Sequence, residues 1–189
     1  INSLITKTAP CDFYKKNFIS LTNKTEYSLN KLTDFLINTG YKRVQTVREL
    51  GEFSLRGSIL DVFPIGYSKG FRIDFFGETI ETIKVMDPLT QRSSTQVENI
   101  NIYSSNEYLL SKENIENFRK KFRSLDGNQS IKNSIYEKVS SGIKFNGIEH
   151  FLPLLHKDPL GSIFDFLPKD QEITFLLTKN FFKLIDERE

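Results

Sequence analysis

One cysteine and two histidines in 189 residues leave little from which to build a reactive or metal-binding centre. A lone Cys11 cannot form a disulfide framework or a cysteine-cluster metal site, and no basic cluster near it in sequence lowers its pKa toward a reactive thiolate. His150 and His156 stand six residues apart with Pro153 between them, which is not a pair on one helix face. A metal site needs three or four converging ligands, so both histidines read as packing or loop hydrogen-bonding residues. No Gly-x-x-x-x-Gly-Lys-Ser/Thr phosphate loop occurs, and no two carboxylates are paired in an apolar setting. No run of about 18 apolar residues exists that would span a membrane. Charge of one sign is also lacking: 26 Lys and Arg against 24 Asp and Glu give a net charge of +2. A dedicated nucleic-acid binder usually carries a larger basic excess. Cysteine poverty fits a reducing cytoplasm, and the opening residues lack the basic-then-apolar pattern of a secretory signal.

Apolar material is plentiful. Hydrophobic residues make up 38% and aromatics 13%, with 17 Phe, enough for a packed core rather than disorder. The chain opens on Ile1 and closes on Asp-Glu-Arg-Glu, and it reads as a segment of a longer protein.

Residues 1–17 read as the tail of a preceding domain, and Asn17 to Thr22 as a short strand. Ser28 is placed to cap a helix carrying Leu29, Leu32, Phe35 and Leu36 at helical spacing, with Gly40 to end it in a left-handed conformation. Strand character follows near 43–48, 51–56, 58–63, 70–76, 79–86 and 97–103, separated by short turns that imply antiparallel pairing. One helix on such a sheet makes an α+β domain over 18–104. A composition shift near 104–110 marks the boundary to a second domain, 105–189, expected to be α/β. There, helices are expected over 111–125, capped by Ser111, and 130–139, with a short buried strand over Ile173 to Leu177.

The stretch FRIDFFGETIETI, Phe71 to Ile83, contains the feature that bears on function. Side chains alternate across a strand, so Phe71, Ile73 and Phe75 share one face. Arg72, Asp74 and Phe76 share the other, which puts a large aromatic on the charged side. Arg56, just before Gly57, has the matching parity on an earlier strand. Arg56, Arg72 and Phe76 on adjoining strands would form an arginine–aromatic patch, the usual composition of an interface hot spot. The alternative is that Phe76 is covered by the 29–37 helix or a neighbouring domain while the arginines pair with Asp74 or Glu78. Arg119, Lys120, Lys121 and Arg123 form a basic helical stretch, read as a solvated face or as a phosphate contact.

Four stretches, YKRVQTVRELGEFSLRGSILDVFP, FRIDFFGETIETIKVMDPLTQRS, GIEHFLPLLH and SIFDFLP, resemble the N-terminal UvrB-like region of bacterial transcription-repair coupling factors. The resemblance runs from about Lys15 to Leu177. The excision-repair protein UvrB shares the first two motifs. The Gln91-Arg92 pair within Met86 to Ser93, and GIEHFLPLLH, look like the coupling factors instead. UvrB carries an Asp-Glu-Ser-His ATPase motif after its equivalent of FDFLP, whereas here the apolar run ends in Thr178-Lys179-Asn180. The resemblance therefore implies an interaction module with no cofactor of its own, in a parent that uses ATP and magnesium in separate motor domains. Through those domains the parent would act on stalled RNA polymerase and double-stranded DNA. The implied partner of this region is UvrA, contacted by Arg56, Arg72 and Phe76 and masked intramolecularly until the motor engages. Ser58 departs from the small Gly or Ala frequent in the family. The alternative is a fragment of a UvrB-type DNA-damage-binding helicase subunit.

Overall fold

The computed structural model describes residues 6–124, 129–168, 170 and 172–174, without the side chains of 129–133. The first unit is built around a six-stranded sheet. Its strands are β2 (Lys42–Arg43), β3 (Glu52–Arg56), β4 (Ile59–Phe63), β5 (Gly70–Phe76), β6 (Thr79–Met86) and β7 (Ser93–Val97), hydrogen-bonded in that order. From β3 to β7 every neighbour is antiparallel, as short turns require. A separate antiparallel ribbon joins β1 (Phe18–Thr22) to β8 (Asn99–Tyr103), so the two ends of this unit are paired. A short helix α1 (Cys11–Lys16) precedes β1, and α2 (Leu29–Asn38) lies between β1 and β2.

The alternation read from the sequence sets the layers. Phe53, Leu60, Val62, Phe71, Ile73, Phe75, Ile80 and Ile83 are all buried, and they form one core with Leu32 and Leu36 of α2 and with Leu21, Ile100 and Ile102 of the ribbon. Helix and ribbon thus cover one face of the sheet. Burial of each such side chain stabilises the fold by roughly 1.5–3 kcal/mol, and that drives the choice of face. The α2 helix starts after Ser28, although the Ser28 hydroxyl makes no capping bond, and Gly40 follows its end at φ +99°.

Three expectations are corrected. The strand near 43–48 is reduced to Lys42–Arg43, and it runs parallel to β3 rather than antiparallel. The chain then leaves the ladder: Gln45 O accepts from Ser54 Oγ (3.1 Å), Val47 O accepts from Gln91 Nε2 (2.8 Å), and Val47 is fully buried. These side-chain bonds take the place of strand pairing. The strand expected near 97–103 is β8, which pairs with β1 outside the six-stranded sheet, while β7 before it, paired with β6, is a strand that the sequence reading did not expect. Finally, Ile173 and Thr174 are not in a strand, and the rest of that expected element lies outside the described residues.

Beyond Tyr103 the regular elements among the described residues are helices, joined by loops. Helix α3 (Lys112–Phe122) is capped by Ser111, whose Oγ accepts from Asn114 N at 3.2 Å. It packs with α4 (Gln129–Ser140) and α5 (Leu152–Leu155). Their small core holds Phe118, Phe122, Val139, Ile148 and Leu155, separate from the core of the sheet. The N-terminal segment joins this unit, since Thr8 bridges Gly161 and the Phe13 ring meets His156 edge-on. The architecture is therefore α+β.

Candidate protein-interaction site

The face of the sheet away from α2 is polar, and its register assembles a charge cluster. Asp61 of β4 lies directly opposite Ser54 on one side and Arg72 on the other. Directly opposed residues share a face and lie within side-chain reach. Asp61 is only 1% exposed. Arg72 grips its carboxylate with two bonds, Nε to Oδ1 at 2.7 Å and Nη2 to Oδ2 at 2.9 Å. Arg56 adds a third, Nη2 to Oδ2 at 2.6 Å. Charge-assisted bonds of this length are the strong class, and a guanidinium fork fits a carboxylate plane. The Asp61 bonds push the Arg72 pKa further up, against the opposing effect of its partial burial.

Sequence reasoning brought the two arginines together, and its alternative reading paired them with Asp74 or Glu78. The structure pairs both with Asp61 instead. Asp74 accepts from Thr82 Oγ1 (2.8 Å) and lies 3.9 Å from Lys84 Nζ. Asp61 is the residue that sequence reasoning missed. Its signal was present: one carboxylate inside the apolar run Ile59-Leu60-Asp61-Val62-Phe63.

Phe76 ends β5 on this same polar face and is 78% exposed, whereas its neighbour Phe75 is 5% exposed. The reading in which α2 covers Phe76 does not hold, because Leu32 and Leu36 pack on the opposite face. Two tight turns bring Phe76 and Arg56 to one end of the sheet. Arg56 pairs with Ile59 across Gly57-Ser58, and Phe76 pairs with Thr79 across Gly77-Glu78. Gly57 and Gly77 hold φ near +60°, a conformation these two-residue hairpins demand and glycine supplies without strain. Ile59, opposite Asp74, lies between the two turns. The far end of the face is closed by buried Val47 and Met86, with Met86 Sδ 3.8 Å from Arg72 Nη2. The open part is thus the hairpin end, with the exposed ring of Phe76 and the half-exposed Arg56, and with Arg72 recessed behind them.

The basic stretch of α3 is mostly engaged internally. Arg119 donates to Ser140 Oγ (3.0 Å) and O (3.1 Å) at the end of α4. Lys121 donates to Pro153 O (2.9 Å) and His156 O (2.7 Å), and Arg123 to Tyr136 OH (2.9 Å). Cations at helix C-termini satisfy carbonyls left without helical partners. His156 Nε2 lies 2.6 Å from Glu107 O in a buried setting, while His150 is exposed. Among the described residues no three metal-ligating side chains converge, and none of their helices is long and apolar enough to cross a membrane.

Comparison with known proteins adds the family. Residues 19–108 match the model of the UvrB interaction domain. The chain is 33% identical over 168 residues to the transcription-repair-coupling factor of Escherichia coli, covering 89% of this chain and 15% of that protein. The factor of Haemophilus influenzae is 32% identical over 170 residues with the same coverage. That of Rickettsia bellii is 34% identical over 177 residues, 94% of this chain and 16% of the relative. The chain spans about 15% of the length of the relatives it matches. By these matches it belongs with the transcription-repair-coupling factors, as an N-terminal segment of them that carries a UvrB interaction domain.

Proposed function

We propose that this chain is a recruitment module for UvrA in transcription-coupled excision repair, and that Arg56, Arg72 and Phe76 form its binding surface. The observation that carries this is the exposed Phe76 ring at the open end of a face held by a two-arginine clamp. An apolar ring and a guanidinium at one surface are what a hot spot needs: an anchor that desolvates, beside a charge that orients. Phe76 enters an apolar recess on the partner. The arginines meet carboxylates at its rim, where they steer association and add to affinity.

In this reading residues 18–104 are the UvrA-binding domain, 1–17 the tail of a preceding UvrB-like domain, and 105–189 an adjoining UvrB-like domain. The chain itself needs no cofactor. ATP-driven translocation on DNA and the displacement of RNA polymerase belong to other parts of the parent, one of which masks the Phe76 surface at rest. Calorimetric titration of the chain with purified UvrA at physiological salt tests the proposal. Binding weakened by both Phe76→Ala and Arg72→Ala supports it; a folded chain that does not bind refutes it.

A further inference from the structure

Asp61 carries more than charge balance. One carboxylate needs one cation, and Arg72 alone supplies it, occupying both oxygens of Asp61. Arg56 is surplus to that need. It nevertheless shares Oδ2 with Arg72 at 2.6 Å, which brings two guanidinium groups to a single oxygen. Like charges that close repel, and the buried carboxylate between them offsets this. Arg56 also has to reach: it lies opposite Ile59, two residues along from Asp61, so its bond crosses the strands diagonally. The Arg56 side chain remains 55% exposed, and only its Nη2 is committed to Asp61.

We propose that Asp61 is the positioning residue of the interaction site: it fixes the Arg56 guanidinium at the open hairpin end of the face that carries Phe76, with its remaining N–H groups presented to a partner carboxylate. The inference rests on the UvrA-binding reading above and deepens it. The cluster of Asp61, Arg56 and Arg72 has a net charge of +1. Its complement is an acidic side chain bordering an apolar recess that receives Phe76. Holding a long, flexible side chain in its bound position before association removes part of the ordering cost of binding.

Positioning and simple charge attraction predict opposite signs for one substitution. Asp61→Asn keeps the shape of the side chain and raises the cluster from +1 to +2. If the site worked by charge alone, an acidic partner would bind the variant more tightly. If Asp61 positions Arg56, binding weakens, by on the order of tenfold, and Arg56→Ala then adds little on the Asp61→Asn background. The experiment is calorimetry of the chain against UvrA for wild type, Asp61→Asn, Arg56→Ala and the double variant. Phe76→Ala serves as the control for the site itself, and thermal unfolding of each protein is followed alongside.

Weakened binding by folded Asp61→Asn, not additive with Arg56→Ala, supports the inference. Unchanged or tighter binding, or fully additive losses, overturns it while leaving the recruitment reading intact, provided Phe76→Ala still weakens binding. Absence of wild-type binding ends both. Where Asp61→Asn does not fold, the wild type supplies the test through nuclear magnetic resonance of its arginine side chains. Slow rotation of the Arg56 guanidinium supports the clamp, and rotation as fast as that of exposed Arg43 overturns it.

Discussion

Replacing Phe76 and Phe75 separately with alanine tests the two faces of one strand at adjacent positions. A phenylalanine side chain offers roughly 200 Å² to bury. Phe76 is 78% exposed, so about a fifth of that is hidden on folding. At about 25 cal/mol per Å² its truncation costs about 1 kcal/mol at most. Phe75 is 5% exposed and packs among Phe71, Ile73 and Ile80. The same arithmetic gives about 5 kcal/mol, and large-to-small core changes of this kind cost about 3–5 kcal/mol. The ring surface of Phe76 left open by the fold, roughly 160 Å², sets a ceiling of about 4 kcal/mol on what it contributes to a partner. A loss of about 2 kcal/mol or more on binding is the expected size for a buried aromatic anchor. Chemical denaturation read by circular dichroism supplies the stabilities, and titration with UvrA the affinities. Phe75→Ala should shift the unfolding midpoint strongly, whereas Phe76→Ala should leave it nearly unchanged and weaken binding. Equal destabilisation by the two substitutions would refute the assignment of Phe76 to the open face.

Three further expectations concern other parts of the chain. Burial holds the His156 pKa below its usual value, outweighing the Glu107 carbonyl and the Asp158 charge, which act upward. The unfolded chain therefore takes up the proton first. The stabilising contribution of neutral His156 is complete above an unfolded pKa of about 6.5 and is lost as pH falls through the lower folded value. Thermal unfolding scanned downward from about pH 7.5 should show this decline, and His156→Gln should flatten it. Burial also pushes the Tyr41 hydroxyl up to about 12. That hydroxyl donates to Tyr103 O (2.9 Å) and accepts from Ile65 N (3.3 Å), so Tyr41→Phe strands two backbone groups and should cost about 1–3 kcal/mol in denaturant unfolding. Lys121→Met removes the bonds to the Pro153 and His156 carbonyls. It should loosen the α3–α5 contact, read as faster amide exchange in α5 than in the sheet, without changing UvrA affinity.

The Phe71–Phe76 strand was legible in the sequence because a period of two in apolar residues admits one buried face. Phe71, Ile73 and Phe75 are buried together, and Phe76 lies on the other face, as that pattern requires. The hairpins at Gly57 and Gly77 were legible for a similar local reason, since short turns between strands leave few backbone solutions. The helix start at Lys112 followed from the Ser111 cap and apolar spacing, and that at Leu29 from apolar spacing, since Ser28 makes no capping bond. The segment after Arg43 was misread because Val44 and Val47 have strand-like character, while bonds to the distant Ser54 and Gln91 side chains decide its path.

The amino-acid sequence by itself determined which face of the sheet is core, where its turns lie, and that Arg56, Arg72 and Phe76 share the other face. These are consequences of periodicity and backbone stereochemistry within a few residues. Only the tertiary structure decided that Asp61, rather than Asp74 or Glu78, takes both arginines, because that pairing depends on the register of three strands. It also decided that Phe76 is left uncovered and that Arg119 and Lys121 of α3 are spent on helix ends within the chain. Those outcomes depend on how distant segments pack, and local spacing carries no information about register or cover.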